Sequence, residues 1–166
     1  MMAGFQKTVR FSQGYGVVGE ASHDGPLRAK PGVLNSTKPA NNVWGRVFTL
    51  NSDSETVQAG GTGVFWGVMT SPKTGLYLGR IGDDEAPHLP NGVVGEFTDM
   101  GEITVRVSTA VDYGDVLGYQ TADGVIVHIE DPENIPAGVV VIPNASIRRV
   151  RQADASGGLI SLRLTN

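Results

Sequence analysis

Glu102-Ile103-Thr104-Val105-Arg106-Val107-Ser108 is the stretch that decides the fold class. Ile103, Val105 and Val107 alternate with Glu102, Thr104, Arg106 and Ser108, a period of two that sends apolar side chains to one face and polar ones to the other. An antiparallel sheet with one wet face requires that pattern. The carboxy-terminal run repeats it, Ile160, Leu162 and Leu164 alternating with Ser161, Arg163 and Thr165. Between and before these lie short β-type runs at residues 43–50, 64–70, 76–81, 116–120, 125–129, 138–142 and 146–151, and the last strand covers 159–165. Thr121-Ala122-Asp123-Gly124 separates two of them and carries the Asp-Gly hairpin signal.

Punctuation supports the same reading. The 166 residues contain 23 Gly and 9 Pro, and only three stretches longer than ten residues, 46–59, 102–113 and 144–156, are free of both. A mean helix of about 11–12 residues barely fits such windows, and an interior Gly or Pro costs a helix about 1 or 3 kcal/mol. The chain is therefore expected to be all-β, a single compact β-barrel or sandwich of short antiparallel strands. Closure is favoured because it removes unpaired sheet edges.

The amino-terminal third reads differently. Phe5, Val9 and Phe11 share a face with the stem of Lys7, as in a half-buried strand or extended arm. Residues 13–42 are broken by Gly and Pro, hold few apolar side chains and show no periodicity. A stretch of this kind is usually functional or ordered by a partner. The expected organisation is an extended Gly/Pro-rich arm over residues 1–42 and a barrel or sandwich body over 43–166. Phe5, Val9, Phe11 and Tyr15 are the arm's anchors for a neighbouring subunit.

Charge and residue usage exclude several classes. Thirteen Lys and Arg against 17 Asp and Glu give a net charge of −4 and a pI near 5.3, the wrong sign for a polyanion-binding surface. With no Cys there are no disulfides, thiolate metal sites or cysteine nucleophiles. The first twelve residues lack the apolar core of a signal peptide, and no run approaches a membrane span. Asn35-Ser36-Thr37 and Asn144-Ala145-Ser146 match a glycosylation sequon and are read as turn chemistry.

Four groups of residues invite a chemical reading. Gly14-Tyr15-Gly16-Val17-Val18-Gly19 spells GxGxxG, but Gly25, Pro26, Pro31 and Gly32 forbid the helix that a dinucleotide site needs, leaving a Gly-rich arm. Asp83-Asp84-Glu85 with His88 lacks calcium-loop spacing and reads as a solvated acidic loop. Ser22-His23-Asp24 is contiguous, unlike a triad assembled by folding, and His128 falls on the polar face of its strand. Arg148, Arg149 and Arg151 form the basic cluster. Planar guanidiniums in an acidic chain suit carboxylates across a protein interface better than a nucleic acid, with a solvated strand face as the plain alternative. No catalytic residue, cofactor or metal is expected.

Several segments together resemble the structural cement, or head decoration, proteins of tailed bacteriophages. The resemblance rests on Phe5-Gln6-Lys7-Thr8-Val9 with Gly14-Tyr15-Gly16-Val17-Val18-Gly19-Glu20, on Gly45-Arg46-Val47-Phe48 and on Gly63-Val64-Phe65-Trp66-Gly67-Val68. It continues through Leu89-Pro90-Asn91-Gly92, Gly101-Glu102-Ile103-Thr104-Val105 and Tyr113-Gly114-Asp115-Val116-Leu117-Gly118-Tyr119. Tyr15 stands where the family commonly has Pro, and Glu20 where it has Asp. The resemblance implies a protein made in the host bacterial cytoplasm that binds the outside of the capsid and bridges major capsid protein subunits against DNA pressure. It implies no active site, and a homotrimer with a dimer as the alternative. The interface candidates are Phe5, Val9, Phe11, Tyr15, Arg148, Arg149 and Arg151, with neither nucleic acid nor membrane as partner. The competing class is a carbohydrate- or surface-binding β module, in which Trp44, Trp66, Tyr77 and Tyr113 would form a stacking platform with at least two wet, coplanar rings. A small hydrolase would need a buried carboxylate or His in a pocket.

Overall fold

The computed structural model describes residues 16–21, 25–71, 88–150 and 157–165. Ten strands carry them: β1 Arg28–Leu34, β2 Val47–Leu50, β3 Thr56–Ala59, β4 Phe65–Met69, β5 Val94–Val107, β6 Val116–Gln120, β7 Ile126–Ile129, β8 Val139–Val141, β9 Ala145–Val150 and β10 Gly158–Leu164. One 3-10 turn, Pro39–Asn41, is the sole helical element among the described residues. The all-β expectation holds.

The long strand β5 organises everything. Its first half pairs with β1 and β4, and β1, β3, β2 and β4 are hydrogen-bonded in that order, so five strands close on themselves. Its second half pairs with β10 over residues 101–107 and with β7 at Val107. From there β6 and β8 extend one side, and β9 joins β10 on the other. Ile142-Pro143-Asn144 carries the chain from β8 to β9, with Asn144 in the left-handed region at φ 51°, so one bent run links the two ends of this second layer. Gly101 marks the junction of the two halves. Its φ is 120°, and a Cβ there would stand 2.8 Å from Leu27 Cδ1 and 3.0 Å from the Pro26 carbonyl.

Each half encloses a core. Leu34, Phe48, Val57, Ala59, Met69 and Phe97 fill the five-stranded ring, with the Phe48 and Phe97 rings 5.0 Å apart and tilted by 55°. Ile103, Val105, Val107, Leu117, Tyr119, Ile126, Ile160, Leu162 and Leu164 fill the second layer. The inward faces read from 103/105/107 and 160/162/164 are thus the core faces.

The strands differ from the sequence expectation in instructive ways. β6 matches residues 116–120, and β7 to β10 match within two residues at each end. β5 runs for 14 residues, and two pairings, β1 with β3 and β5 with β7, are parallel. β3 was not expected, and the run expected at 43–50 begins only at Val47. The expected strands at 5–12 and 76–81 lie outside the described residues.

β1 lies within residues 1–42, the stretch expected as an arm. Residues 28–42 belong to the body: Leu34 is fully buried, and Asn42, also fully buried, donates to the Leu89 carbonyl at 2.8 Å and to Asn91 Oδ1 at 2.9 Å. Pro31 and Gly32 argue against a strand by propensity. Pro31 is accommodated because its carbonyl accepts from Trp66 Nε1 at 3.2 Å, on the side away from β5, where its missing N–H is not needed. Arg28 and Lys30 both reach the buried Asp99 on β5. Long-range polar contacts fasten a segment whose own apolar content is low. Residues 1–15 of the expected arm lie outside the described residues.

Candidate interaction surface

The outer face of β5, β10 and β9 collects the arginines. Register places Arg106 opposite Leu159, Arg163 opposite Glu102 and Ser146, and Arg149 opposite Ser161, so these side chains share the face turned away from the core. Arg148 occupies the irregularity between the Ser161 and Leu162 pairings and reaches the same face, where its Nε donates to Glu102 Oε1 at 3.2 Å. Arg106, Arg148 and Arg149 are exposed, and Arg163 is half-buried. Four guanidiniums thus share one sheet face in a chain of net charge −4, with Glu102 opposite Arg163 and bonded to Arg148.

Two of the three arginines singled out by sequence, Arg148 and Arg149, lie on this face, and Arg151 lies outside the described residues. Sequence proximity hid Arg106 and Arg163, which are far apart in the chain. The alternation that places Ile103, Val105, Ile160 and Leu162 inward already puts both outward, so their face was legible and their juxtaposition was not.

The described end of the amino-terminal segment closes one side of the same strand. Gly19 N–H donates to the Thr104 carbonyl at 2.7 Å, Thr104 N–H donates to the Glu20 carbonyl at 2.8 Å, and Ala21 bridges to Ile103. Ser71 N–H donates to the Gly19 carbonyl at 2.7 Å, tying this segment to the end of β4. Gly19 has φ 83°, and a Cβ there would lie 2.7 Å from Trp44 Cβ, so glycine is needed on both counts. Beside it runs an apolar groove of about 520 Å³ lined by Val17, Val18, Val43, Trp44, Val125 and Ile126, with Arg46 and Arg106 at its edge. Val17 is 65% exposed there. Of the amino-terminal anchors, Phe5, Val9, Phe11 and Tyr15 all lie outside the described residues.

The family model of the structural cement protein (E217 gp24/Pam3 gp6) matches residues 5–165. The chain belongs to the structural cement protein family. A chain in the capsid of Myoviridae phage XM1 has the same fold, with a TM-score of 0.64 over 96% of both chains at 18% identity. The N base of head fibre gp8.5 in bacteriophage phi29 gives a TM-score of 0.42 at 11% identity, over 84% of this chain and 95% of that one. No curated protein matches the chain. The cement protein is a capsid-stabilising decoration protein of a phage head, and its role is structural.

In the GxGxxG stretch, Gly16 and Gly19 adopt left-handed angles in a strand-edge turn, and among the described residues the next element is the strand β1. His128 Nε2 lies 3.4 Å from Asp115 Oδ2 in a pair that is about one quarter exposed. Asp83, Asp84 and Glu85 lie outside the described residues, and no group of three or more acidic or His side chains elsewhere among those described has metal-binding geometry. Trp44 and Trp66 pack on the first core cluster, Lys30 Nζ sits 4.1 Å over the Trp66 ring, and Tyr113 is 63% exposed. Tyr77 lies outside the described residues. The three described rings do not make the wet, coplanar platform a sugar module requires.

Proposed function

We propose that this cement protein binds the outer surface of the phage shell by contacting major capsid protein subunits. It is made in the host bacterial cytoplasm, acts as a homotrimer and catalyses nothing. The observation that carries the contact is the concentration of Arg106, Arg148, Arg149 and Arg163 on one sheet face of an acidic chain. Guanidiniums on a rigid sheet suit carboxylates of a protein partner, with planar two-pronged hydrogen bonding. A polyanion would instead meet the net negative field of the whole molecule.

The amino-terminal segment is the second contact element. It leaves the described body at Gly16 beside an apolar groove, and Phe5, Val9, Phe11 and Tyr15 supply apolar side chains for a neighbouring subunit. An extended segment that orders on its partner covers much surface per residue.

The test is sedimentation of purified protein with expanded heads that lack it, beside light scattering of the free protein. Saturable co-sedimentation and a trimeric mass are expected. Heads that pellet without the protein at micromolar concentration would overturn the shell reading, and a monomer or dimer on the shell would overturn the trimer.

A further inference from the structure

Glu102 and Arg163 face each other across β5 and β10, yet they do not pair. Both carboxylate oxygens of Glu102 are engaged elsewhere. Oε1 accepts from Arg148 Nε at 3.2 Å, and Oε2 accepts from Ser161 Oγ at 3.3 Å. Arg163 is half-buried and has no hydrogen-bond or ion partner among the described residues. Its guanidinium is not among the buried groups without a partner, so its five N–H donors are open to an incoming acceptor.

An open cleft of about 440 Å³ adjoins this pair. Glu102, Arg148 and Arg163 line it together with Gly25, Pro26 and Gly101. Among the described residues that line it, two guanidiniums against one carboxylate leave a surplus of a single positive charge. The two glycines add no side chains to the wall, so an incoming group can approach the backbone.

We propose that this cleft receives one carboxylate from an acidic side chain of the capsid lattice. Arg163 clamps that carboxylate with two parallel N–H donors, and Arg148 holds the far side while remaining bonded to Glu102. The assignment rests on the shell-binding reading above for the identity of the partner, and on the cleft alone for its chemistry. A single surplus charge matches one carboxylate. A nucleic acid needs a row of cations along several phosphates, and this chain repels polyanions overall.

Two substitutions in the full chain separate binding from folding. Arg163→Met keeps an unbranched apolar stem and removes the guanidinium and its charge, while Glu102→Gln releases Arg148 and raises the cleft charge by one. With thermal melts showing both variants folded, Arg163→Met is expected to weaken head binding about tenfold and flatten its salt dependence. Glu102→Gln is expected to tighten it, the reverse of what loss of a purely structural pair would do. Wild-type affinity in Arg163→Met, or weakening in both variants, would overturn the proposal.

A second measurement does not depend on the shell. The Arg163 Nε–H resonance of the free protein is followed during titration with a hexaglutamate peptide, inorganic phosphate or a short DNA duplex. A saturable shift with the peptide, absent in Arg163→Met, is expected. No shift, or a stronger response to DNA or phosphate than to the peptide, would reject a carboxylate site. Failure of the wild type to bind heads while the peptide still shifts Arg163 would sink the shell reading alone.

Discussion

Arg28 donates to Asp99 twice, from Nε to Oδ1 at 2.8 Å and from Nη2 to Oδ2 at 3.0 Å, across 71 positions of sequence. Lys30 Nζ adds a contact to Oδ2 at 3.3 Å, so a carboxylate with a side chain only 4% exposed holds two cations of β1 against β5. Burial pushes the Asp99 carboxyl up, but hydrogen bonds from Arg28 and Lys30 and their charges outweigh it and hold it below the usual carboxylate range. The pair fastens the strand that closes the first ring.

Because Asp99 has a lowered value in the fold, its contribution to stability is present above the unfolded carboxylate value of about 3.9. It is lost as pH falls through the folded value. Asp99→Asn should cost about 3 kcal/mol at pH 7, the low end for one-sided loss of a buried pair, because Arg28 is half exposed. Urea unfolding from pH 7 to pH 3 checks the sign: the gap between wild type and variant should narrow below about pH 4. A gap that widens on acidification would contradict the assignment.

Residues 16–21 act as a strand-edge patch on Thr104 and Ser71. Truncation after residue 21 should lower the melting temperature relative to truncation after residue 15, since backbone groups of Thr104 and Ser71 lose their partners at about 1 kcal/mol per hydrogen bond. Differential scanning calorimetry of the two truncated chains makes the comparison. Equal melting temperatures would show the patch to be energetically idle.

Phe97 sits fully buried in the first ring against Phe48. Phe97→Ala should destabilise by about 3–5 kcal/mol through lost burial and a residual cavity. Chemical denaturation measures it. A loss below about 1 kcal/mol would mean the ring can collapse around the gap.

Gly101→Ala tests the hinge of β5. A side chain at φ 120° beside Leu27 and the Pro26 carbonyl should cost about 1–3 kcal/mol and loosen the packing of β1 on β5. Amide hydrogen exchange should therefore rise at Ala29 and Lys30 more than at Val116 to Gln120. A uniform change across both halves would argue against a local hinge.

Periodicity and punctuation were enough to determine that the chain is all-β. Alternation at 102–108 and 159–165 named the inward side chains, and Asp123-Gly124 named the hairpin between β6 and β7. These are local properties, set by the two-residue repeat of an extended backbone and by the few residues that tolerate a left-handed turn. The glycine-rich opening and the spaced valine segments also carried the family resemblance.

Tertiary structure decided what depends on contacts between distant residues. Nothing near Arg28, Lys30 or Pro31 announces a strand, because Asp99, Glu96 and Trp66 supply its partners from far along the chain. The closure of the first ring through β1, the parallel pairings, and the two-layer division at Gly101 follow from that register. Arg163 is the sharpest case. Its outward direction follows from the alternation of its own strand, but its surplus charge arises because Arg148, from another strand, lies against the same carboxylate, whose other oxygen Ser161 occupies. Local patterning fixes the direction of a side chain, whereas a charge balance is a sum over neighbours that only the folded chain brings together.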